Sequence, residues 1–241
     1  MKKWIVVVGL MGMMFSACQT QNAFTENNNE PAQVSLTMRD VIPAMAPKTP
    51  EVKAQQQQFL KVNVSRFKNR KLASDFYVLH GQRTFNANKL DSATIFFNRA
   101  WLMDSTNADV FWGYGLIYGK QEKYDRALFI LYRALENDTD NPRLLTDIAT
   151  THLARFYQQS TPEDLSQSKK LLEQAIELEP ENAADTYYKL AVNSYYLRDY
   201  AEAWTYLHQS IKEDKSKADE TFIGALLEKE RDPKGLYTAS K

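Results

Sequence analysis

The feature that most limits the fold of this chain is a repeat of 34 residues. Residues 74–107 and 108–141 align with each other without a gap, and Gly81 in the first stretch corresponds to Gly115 in the second. Self-similarity at a fixed period of this length is typical of chains that stack one supersecondary unit several times. Each unit buries its apolar face only against its neighbours, so we expect an extended array and not one closed core.

Two further units continue the pattern with one interruption. Small residues that let paired helices approach each other recur in the first and the second helix of every unit: Gly81, Gly115, Ala149 and Ala191, then Ala93, Ala127, Ser168 and Ala203. The first set steps by 34, 34 and 42 residues and the second by 34, 41 and 35. The difference places seven extra residues between the two helices of the third unit, near residues 158–164, and one before the fourth. Thr161 and Pro162 predict a helix start there, because threonine can cap and proline suits the first helical position.

This arrangement resembles the tetratricopeptide repeat family. Three more sets of residues match the family's positions: Phe97, Leu131, Leu172 and Leu207; Ala100, Ala134, Ala175 and Ser210; Tyr77, Phe111, Leu145 and Tyr187. The resemblance covers residues 74–217, as repeats 74–107, 108–141, 142–183 with the insertion, and 184–217. It is incomplete, since the proline that often ends a repeat remains only as Pro180 and the first-helix tyrosine only as Tyr118. The resemblance implies an all-α helix-turn-helix solenoid, a right-handed superhelix, with a C-terminal capping helix.

The segments on either side of the repeats predict helices that seal the array. Within residues 218–241, which we interpret as a capping helix and tail, one face carries Phe222, Ile223, Leu226 and Leu227 and the opposite face is charged. Residues 54–73 predict an N-terminal helix whose apolar side chains would cover the first repeat: Phe59, Leu60, Val64 and Phe67. Terminal units of repeat arrays need such covers, because their outer faces have no neighbour.

The amino terminus reads as a secretion signal followed by a lipid attachment site. Two lysines precede an apolar run of 12 residues, too short to cross a hydrocarbon core that needs about 20 residues. The run ends in Phe-Ser-Ala before Cys18, which resembles the lipobox of bacterial lipoproteins, and Cys18 is the only cysteine. We therefore predict a signal peptide over residues 1–17, lipidation of Cys18 and a disordered tether over residues 18–53. The alternative is an ordinary signal peptide with an incidental cysteine. Gln19 follows the cysteine, which favours the outer membrane and leaves the leaflet open.

The sequence favours a binding protein without cofactor, metal or catalytic activity. Lysines plus arginines number 30 and so do the acids, and loss of the signal leaves a net charge of −2, which gives no footprint for nucleic acid. The three histidines have no second ligand at metal-site spacing. Gly113-Tyr114-Gly115 falls inside a repeat helix, where glycine has a packing role, and not in a phosphate-binding loop.

The resemblance also implies where a partner binds, because in the family the first helix of each repeat lines a concave groove. Steps of 3, 4 and 3 residues give the inward stripe: Asp75, Val78, Gln82, Phe85, Asp109, Trp112, Leu116, Gly119, Arg143, Thr146, Thr150, Leu153, Asp185, Tyr188, Val192 and Tyr195, with Tyr196 beside it. Aromatic residues are frequent hot spots of interfaces, so Trp112, Tyr188 and Tyr195 are the preferred anchors. The alternative for each aromatic residue is packing against a neighbouring repeat.

Three functional hypotheses follow. The first is a lipid-tethered adaptor that binds a protein or peptide in its groove and assembles or maintains a cell-envelope complex. The second is the ligand-binding component of a nutrient-uptake system, which the short insertion of seven residues counts against. The third is an accessory to an envelope enzyme. Helical solenoids can also self-associate through their ends, so a homo-oligomer is a further alternative.

Overall fold

The two helices of each predicted repeat fold as a pair, and four pairs follow one another along the chain. The pairs are α3 (Arg70–Asn86) with α4 (Leu90–Met103), α5 (Ala108–Lys120) with α6 (Tyr124–Leu135), α7 (Pro142–Gln159) with α8 (Pro162–Leu178), and α9 (Ala184–Tyr196) with α10 (Tyr200–Glu213). The helices α1 (Met38–Val41) and α2 (Pro50–Arg66) precede them, and α11 (Glu220–Leu227) follows. The all-α solenoid with a terminal capping helix is therefore confirmed.

The computed structural model describes residues 35–46, 48–181 and 183–238. Residues Leu36–Lys241 form one compact unit. Within the described ranges, none of the helices combines the length and the apolar character that crossing a membrane requires. The predicted signal peptide, Cys18 and the tether up to residue 34 lie outside the described residues.

The repeat core consists of the residues that the spacing predicts. The small residues Ala93, Ala127 and Ala203 are fully buried where helices cross, and Phe97 and Leu131 beside them are at most 1% exposed. Burial of large aliphatic and aromatic side chains stabilises such a core by about 1.5–3 kcal/mol each. The four repeats thus share one packing scheme, which fixes where the first helices present their remaining side chains.

All residues of 158–164, where the sequence places the seven-residue insertion, are helical except Ser160 and Thr161. The insertion lengthens α7 and α8 to 18 and 17 residues, compared with 13 and 12 in α5 and α6. Pro162 is the first residue of α8, as predicted, and Thr161 occupies the N-cap position, although its side chain accepts no capping hydrogen bond. Ser160 makes the turn in the left-handed conformation, with φ of 56°. The third repeat therefore extends beyond its neighbours at the end where α7 meets α8.

Residues 36–46, here called the strap, are packed against the repeats, whereas the sequence predicts a disordered tether up to residue 53. Val41 and Ile42 are at most 1% exposed, and the hydroxyl of Tyr118 donates a hydrogen bond to the carbonyl oxygen of Val41 at 2.9 Å. The strap lies along α4 and α6. Its longest apolar run has only six positions, 41–46, which contain a proline and show no sustained helical or strand period. These residues bury surface because the repeats already supply an apolar site.

The N-terminal helix begins and faces differently from the prediction. Helix α2 starts at Pro50, and Phe59 packs against the core as expected, but Val64 is 47% exposed. The inward position next to Phe59 belongs to Asn63, which is 7% exposed and accepts a hydrogen bond from the Tyr77 hydroxyl at 2.6 Å. A hydrogen-bonded polar residue can replace an apolar one at a buried position, which is why hydropathy alone selected the wrong residue.

The carboxyl end is sealed by α11 and by the tail after it. Ile223 and Leu226 are buried against the last repeat, as predicted. The tail returns over α10, where the Trp204 indole N–H donates to the carbonyl oxygen of Glu230 at 3.1 Å and the Tyr237 ring stacks on Trp204. The cover of the last repeat is therefore larger than one helix.

Candidate protein-binding groove

A cavity of about 630 Å³ opens between the first helices of the four repeats. Seven residues of the predicted stripe line it: Gln82, Phe85, Trp112, Leu116, Arg143, Thr146 and Asp185. They come from α3, α5, α7 and α9, so the cavity runs across the whole array. The structure thus brings together side chains up to 103 positions apart in sequence, as an inward stripe requires.

One wall of the cavity is apolar and aromatic. Phe85 on α3 and Trp112 and Leu116 on α5 lie along it, each partly buried, and Gly113 lies at its base beside Phe97. Because Gly113 has no side chain, α5 lies close to Phe97 on α4, the second helix of the first repeat. An aromatic and aliphatic surface of this kind can anchor an apolar side chain of a partner.

Next to this apolar wall lies a carboxylate that the predicted stripe did not include. Asp147 on α7 accepts a hydrogen bond from the indole N–H of Trp112 at 2.8 Å. Burial raises the pKa of Asp147 above its ordinary value, although the hydrogen bond from Trp112 and the charge of Lys189 act in the opposite direction. Among the residues that the structure describes, no basic side chain lies within 4.0 Å of this carboxylate. Asp147 is therefore partly buried and has no ion-pair partner in the part of the chain that the structure describes.

Asp147 and Lys189 occupy the same position in the third and fourth repeats, one residue after Thr146 and Tyr188 of the stripe. Both line the cavity. The stripe missed them because it follows a single helical row, whereas a cavity between helices is lined by a wider arc of each helix. A search one residue to either side would have found them.

A second cavity of about 590 Å³ continues the groove toward the last repeat. It shares Glu181 and Asp185 with the first cavity and adds Glu213, Asp214 and Lys217. The Lys217 ammonium forms an ion pair with Asp185. The groove therefore becomes more acidic toward its C-terminal end.

Several predicted groove residues lie elsewhere. Val78 is 4% exposed and belongs to the core, so its side chain is not available to a ligand. The Tyr188 hydroxyl donates to Asp219 at 2.7 Å, and the Tyr188 and Tyr195 rings each contact Phe222, so both tyrosines hold the capping segment. The remaining members of the stripe do not line the first cavity: Asp75, Asp109, Gly119, Thr150, Leu153, Val192 and Tyr196.

Tyr196 belongs to an aromatic group that the insertion creates. The extended end of α7 carries Phe156 and Tyr157, and both rings meet Tyr196 of the fourth repeat edge to face, with centroids 5.6 and 5.1 Å apart. Tyr196 therefore packs between neighbouring repeats, which was the alternative for each aromatic residue, and does not line the groove.

The histidine of the third repeat takes part in a buried polar network. His152 donates through Nδ1 to Asp164 at 2.6 Å, and the Tyr132 hydroxyl donates to its Nε2 at 2.8 Å. Arg155 donates to the same carboxylate at 2.7 Å and to Asp125 at 2.8 Å. The network joins α6, α7 and α8 outside the groove. Within the described ranges, no three ligating side chains lie close enough together to hold a metal ion.

We expect the Asp147→Asn substitution to stabilise the fold at neutral pH. The pKa of Asp147 is raised in the folded state above 3.8, so the folded protein binds its proton more tightly and loses stability as pH rises through the folded pKa. Asparagine keeps an oxygen for the Trp112 N–H and carries no charge. Thermal unfolding should show a higher midpoint for the variant at pH 7 and no difference below the unfolded pKa. A lower midpoint at pH 7 would contradict this interpretation of the charge.

The comparisons with known proteins agree with the repeat geometry. The tetratricopeptide repeat family matches residues 108–141. Among solved structures, the chain is similar to PilF of Pseudomonas aeruginosa, with TM-score 0.55 and 18% identity over 66% of this chain and 68% of that one. It is also similar to a thermophilic TPR protein of Thermus thermophilus, with TM-score 0.53 and 16% identity over 65% and 81%.

MamA AMB-1 is a further similar structure, with TM-score 0.53 and 20% identity over 68% of this chain and 87% of that one. No protein of the curated set matches the chain by sequence. Likenesses at this level of identity show the fold, which is a tetratricopeptide repeat solenoid.

Proposed function

We propose that the chain is a membrane-tethered adaptor that binds a protein or peptide in its groove and assembles or maintains a cell-envelope complex. The observation that carries the proposal is the cavity across the first helices of all four repeats, which gathers seven side chains of the predicted stripe. The fold supports a scaffold role, and the proposal assigns no catalytic step to the chain.

The size and lining of the groove suit a peptide segment. A volume of about 630 Å³ lies within the range of clefts that enclose a ligand, about 300–1,000 Å³. Trp112 offers a large, rigid surface that is already held in place by its hydrogen bond to Asp147. Pre-ordering of such an anchor lowers the entropy lost on binding, which favours a short bound segment.

Site-specific photo-crosslinking in the native host tests the groove. A photoreactive residue at Thr146, inside the cavity, should form a discrete adduct with a partner, whereas one at Lys170, exposed on α8, should not. Trp112→Ala should weaken the Thr146 adduct several-fold without loss of helical circular dichroism. Adducts of equal strength at both positions, or a Thr146 adduct that Trp112→Ala leaves unchanged, would refute the groove as the binding site.

The membrane tether of the proposal depends on Cys18. Its support is the apolar run that precedes a lipobox-like Phe-Ser-Ala-Cys sequence. Several acyl chains would hold the protein stably on a bilayer, since each buried CH₂ contributes about 0.8 kcal/mol. In fractionated cells we expect the native chain in the outer-membrane fraction and Cys18→Ser in the soluble periplasmic fraction. A Cys18→Ser protein that stays with the membrane would rule out lipidation as the anchor.

A further inference from the structure

The groove contains a carboxylate, Asp147, on which the charge of Lys189 acts but which no cation of the described residues contacts. The Asp147 carboxylate is partly buried, accepts the Trp112 indole N–H and has no basic side chain within 4.0 Å among the described residues. A partly buried carboxylate in this state is costly to keep. A cationic group from a partner would remove the cost by forming a charge-assisted hydrogen bond.

The charged residues that line the groove around Asp147 are mostly acidic, as Asp147 itself is. The two cavities together are lined by six acids, Asp147, Glu179, Glu181, Asp185, Glu213 and Asp214, and by three bases, Arg143, Lys189 and Lys217. The net charge of the lining is −3. One of the bases is already engaged, because Lys217 pairs with Asp185. The groove as a whole is therefore complementary to a cationic segment, although the chain is close to neutral overall.

The Asp147 carboxylate and the apolar wall are adjacent, because Trp112 forms part of the wall and also donates a hydrogen bond to the carboxylate. Its ring lines the wall with Phe85 and Leu116, while its Nε1 atom lies 2.8 Å from Asp147 Oδ2. A ligand group that binds the carboxylate therefore lies next to this ring. Two neighbouring side chains of one short segment, one apolar and one basic, would fill both places at once.

We infer that the groove selects a peptide segment of its partner that carries a lysine or arginine next to an aliphatic or aromatic residue, with the basic side chain on Asp147 and the apolar one on the Phe85, Trp112 and Leu116 wall. The inference rests on the proposed function and adds the chemistry of the partner to it. Asp147 decides the charge of the ligand, and Trp112 couples the two subsites.

Peptide selection on the immobilised full chain tests this specificity. Three pools of short peptides, capped at both ends, share a fixed leucine or phenylalanine and differ only in the next residue: lysine or arginine, glutamine, or glutamate. We expect the wild-type protein to enrich the basic pool at least tenfold over the acidic one, and added salt to reduce this preference. Asp147→Asn should lose most of the preference, whereas Asp140→Asn, the same change at an exposed residue outside both cavities, should keep it.

The variant Thr146→Trp, which fills the cavity, separates this inference from the proposed function. Enrichment that Thr146→Trp abolishes but that shows no preference for charge would overturn the inference and leave the peptide-binding groove standing. A charge preference that Asp147→Asn retains, with an unchanged circular dichroism spectrum, would also overturn the inference alone. If the wild-type protein enriches none of the three pools, or if the enrichment survives Thr146→Trp, both the inference and the proposed function are overturned. The wild-type preference decides the inference even if a variant fails to fold.

Discussion

Replacing Asp164 with alanine is expected to lower the free energy of unfolding by about 3 kcal/mol, near the lower end of the range for breaking a buried ion pair. Asp164 is 1% exposed and accepts hydrogen bonds from both His152 and Arg155. Burial raises the pKa of this carboxyl, but the hydrogen bonds from Arg155 and His152 outweigh it and hold the pKa below its ordinary value. Alanine would leave the buried His152 and the partly buried Arg155 without this acceptor. The Arg155 side chain is 24% exposed and can turn to water, which limits the loss.

Urea unfolding measures this effect, and Asp125→Ala is the matched control. Asp125 binds the same guanidinium at 2.8 Å but is 61% exposed, so its loss should cost at most about 1 kcal/mol. If the two alanine variants have equal stability, the network adds nothing beyond a surface ion pair. Equal slopes of the unfolding curves would show that the two variants unfold from comparable folded states.

The second large effect is expected from Gly113→Ala, which should destabilise the protein by about 1–3 kcal/mol or more. A Cβ atom at Gly113 would lie 2.2 Å from Cε1 of Phe97, whose side chain is 1% exposed and has no room to move away. Elsewhere in a helix the same change is favourable by about 1 kcal/mol, because alanine has the higher helix propensity. A decrease in stability, in place of the increase that helix propensity predicts, would therefore show that α4 and α5 are in close contact at Gly113.

Gly119→Ala in the same helix is the internal control. Apart from the adjacent residues and the backbone of α5 itself, no atom of the described residues lies within 4 Å of a Cβ built there, so this variant should be as stable as the native chain or more so. Adding Phe97→Leu to Gly113→Ala should recover part of the loss, because leucine is smaller and flexible. A double-mutant cycle without coupling between the two positions would show that the contact does not limit stability.

The repeats and part of the cavity lining could be predicted from the sequence because both depend on contacts that recur with the period. Ala93, Ala127 and Ala203 occupy equivalent helix crossings, and the packing of one crossing predicts the others. The stripe of the first helices follows from helical geometry once the crossings are known. Trp112 and Thr146, which this reasoning includes in the stripe, line the cavity.

Contacts without a period could not be predicted in this way. The hydrogen bond from Tyr118 to Val41 joins residues 77 positions apart, and no sequence pattern in the strap predicts it. Asp164 meets His152 only because the insertion sets the length of α7 and the start of α8. Asp147 was missed for a different reason, since a single row of residues cannot describe the width of a cavity between helices.

The insertion also has a consequence for how the array comes apart. Simple solenoids contact only their nearest neighbours, and their end units can fray one after another. Here the lengthened third repeat holds the second through Asp125 and Tyr132 and the fourth through Phe156 and Tyr157. These contacts couple the third repeat to both of its neighbours, so we expect a change in the length of the insertion to disturb the second and the fourth repeat as well.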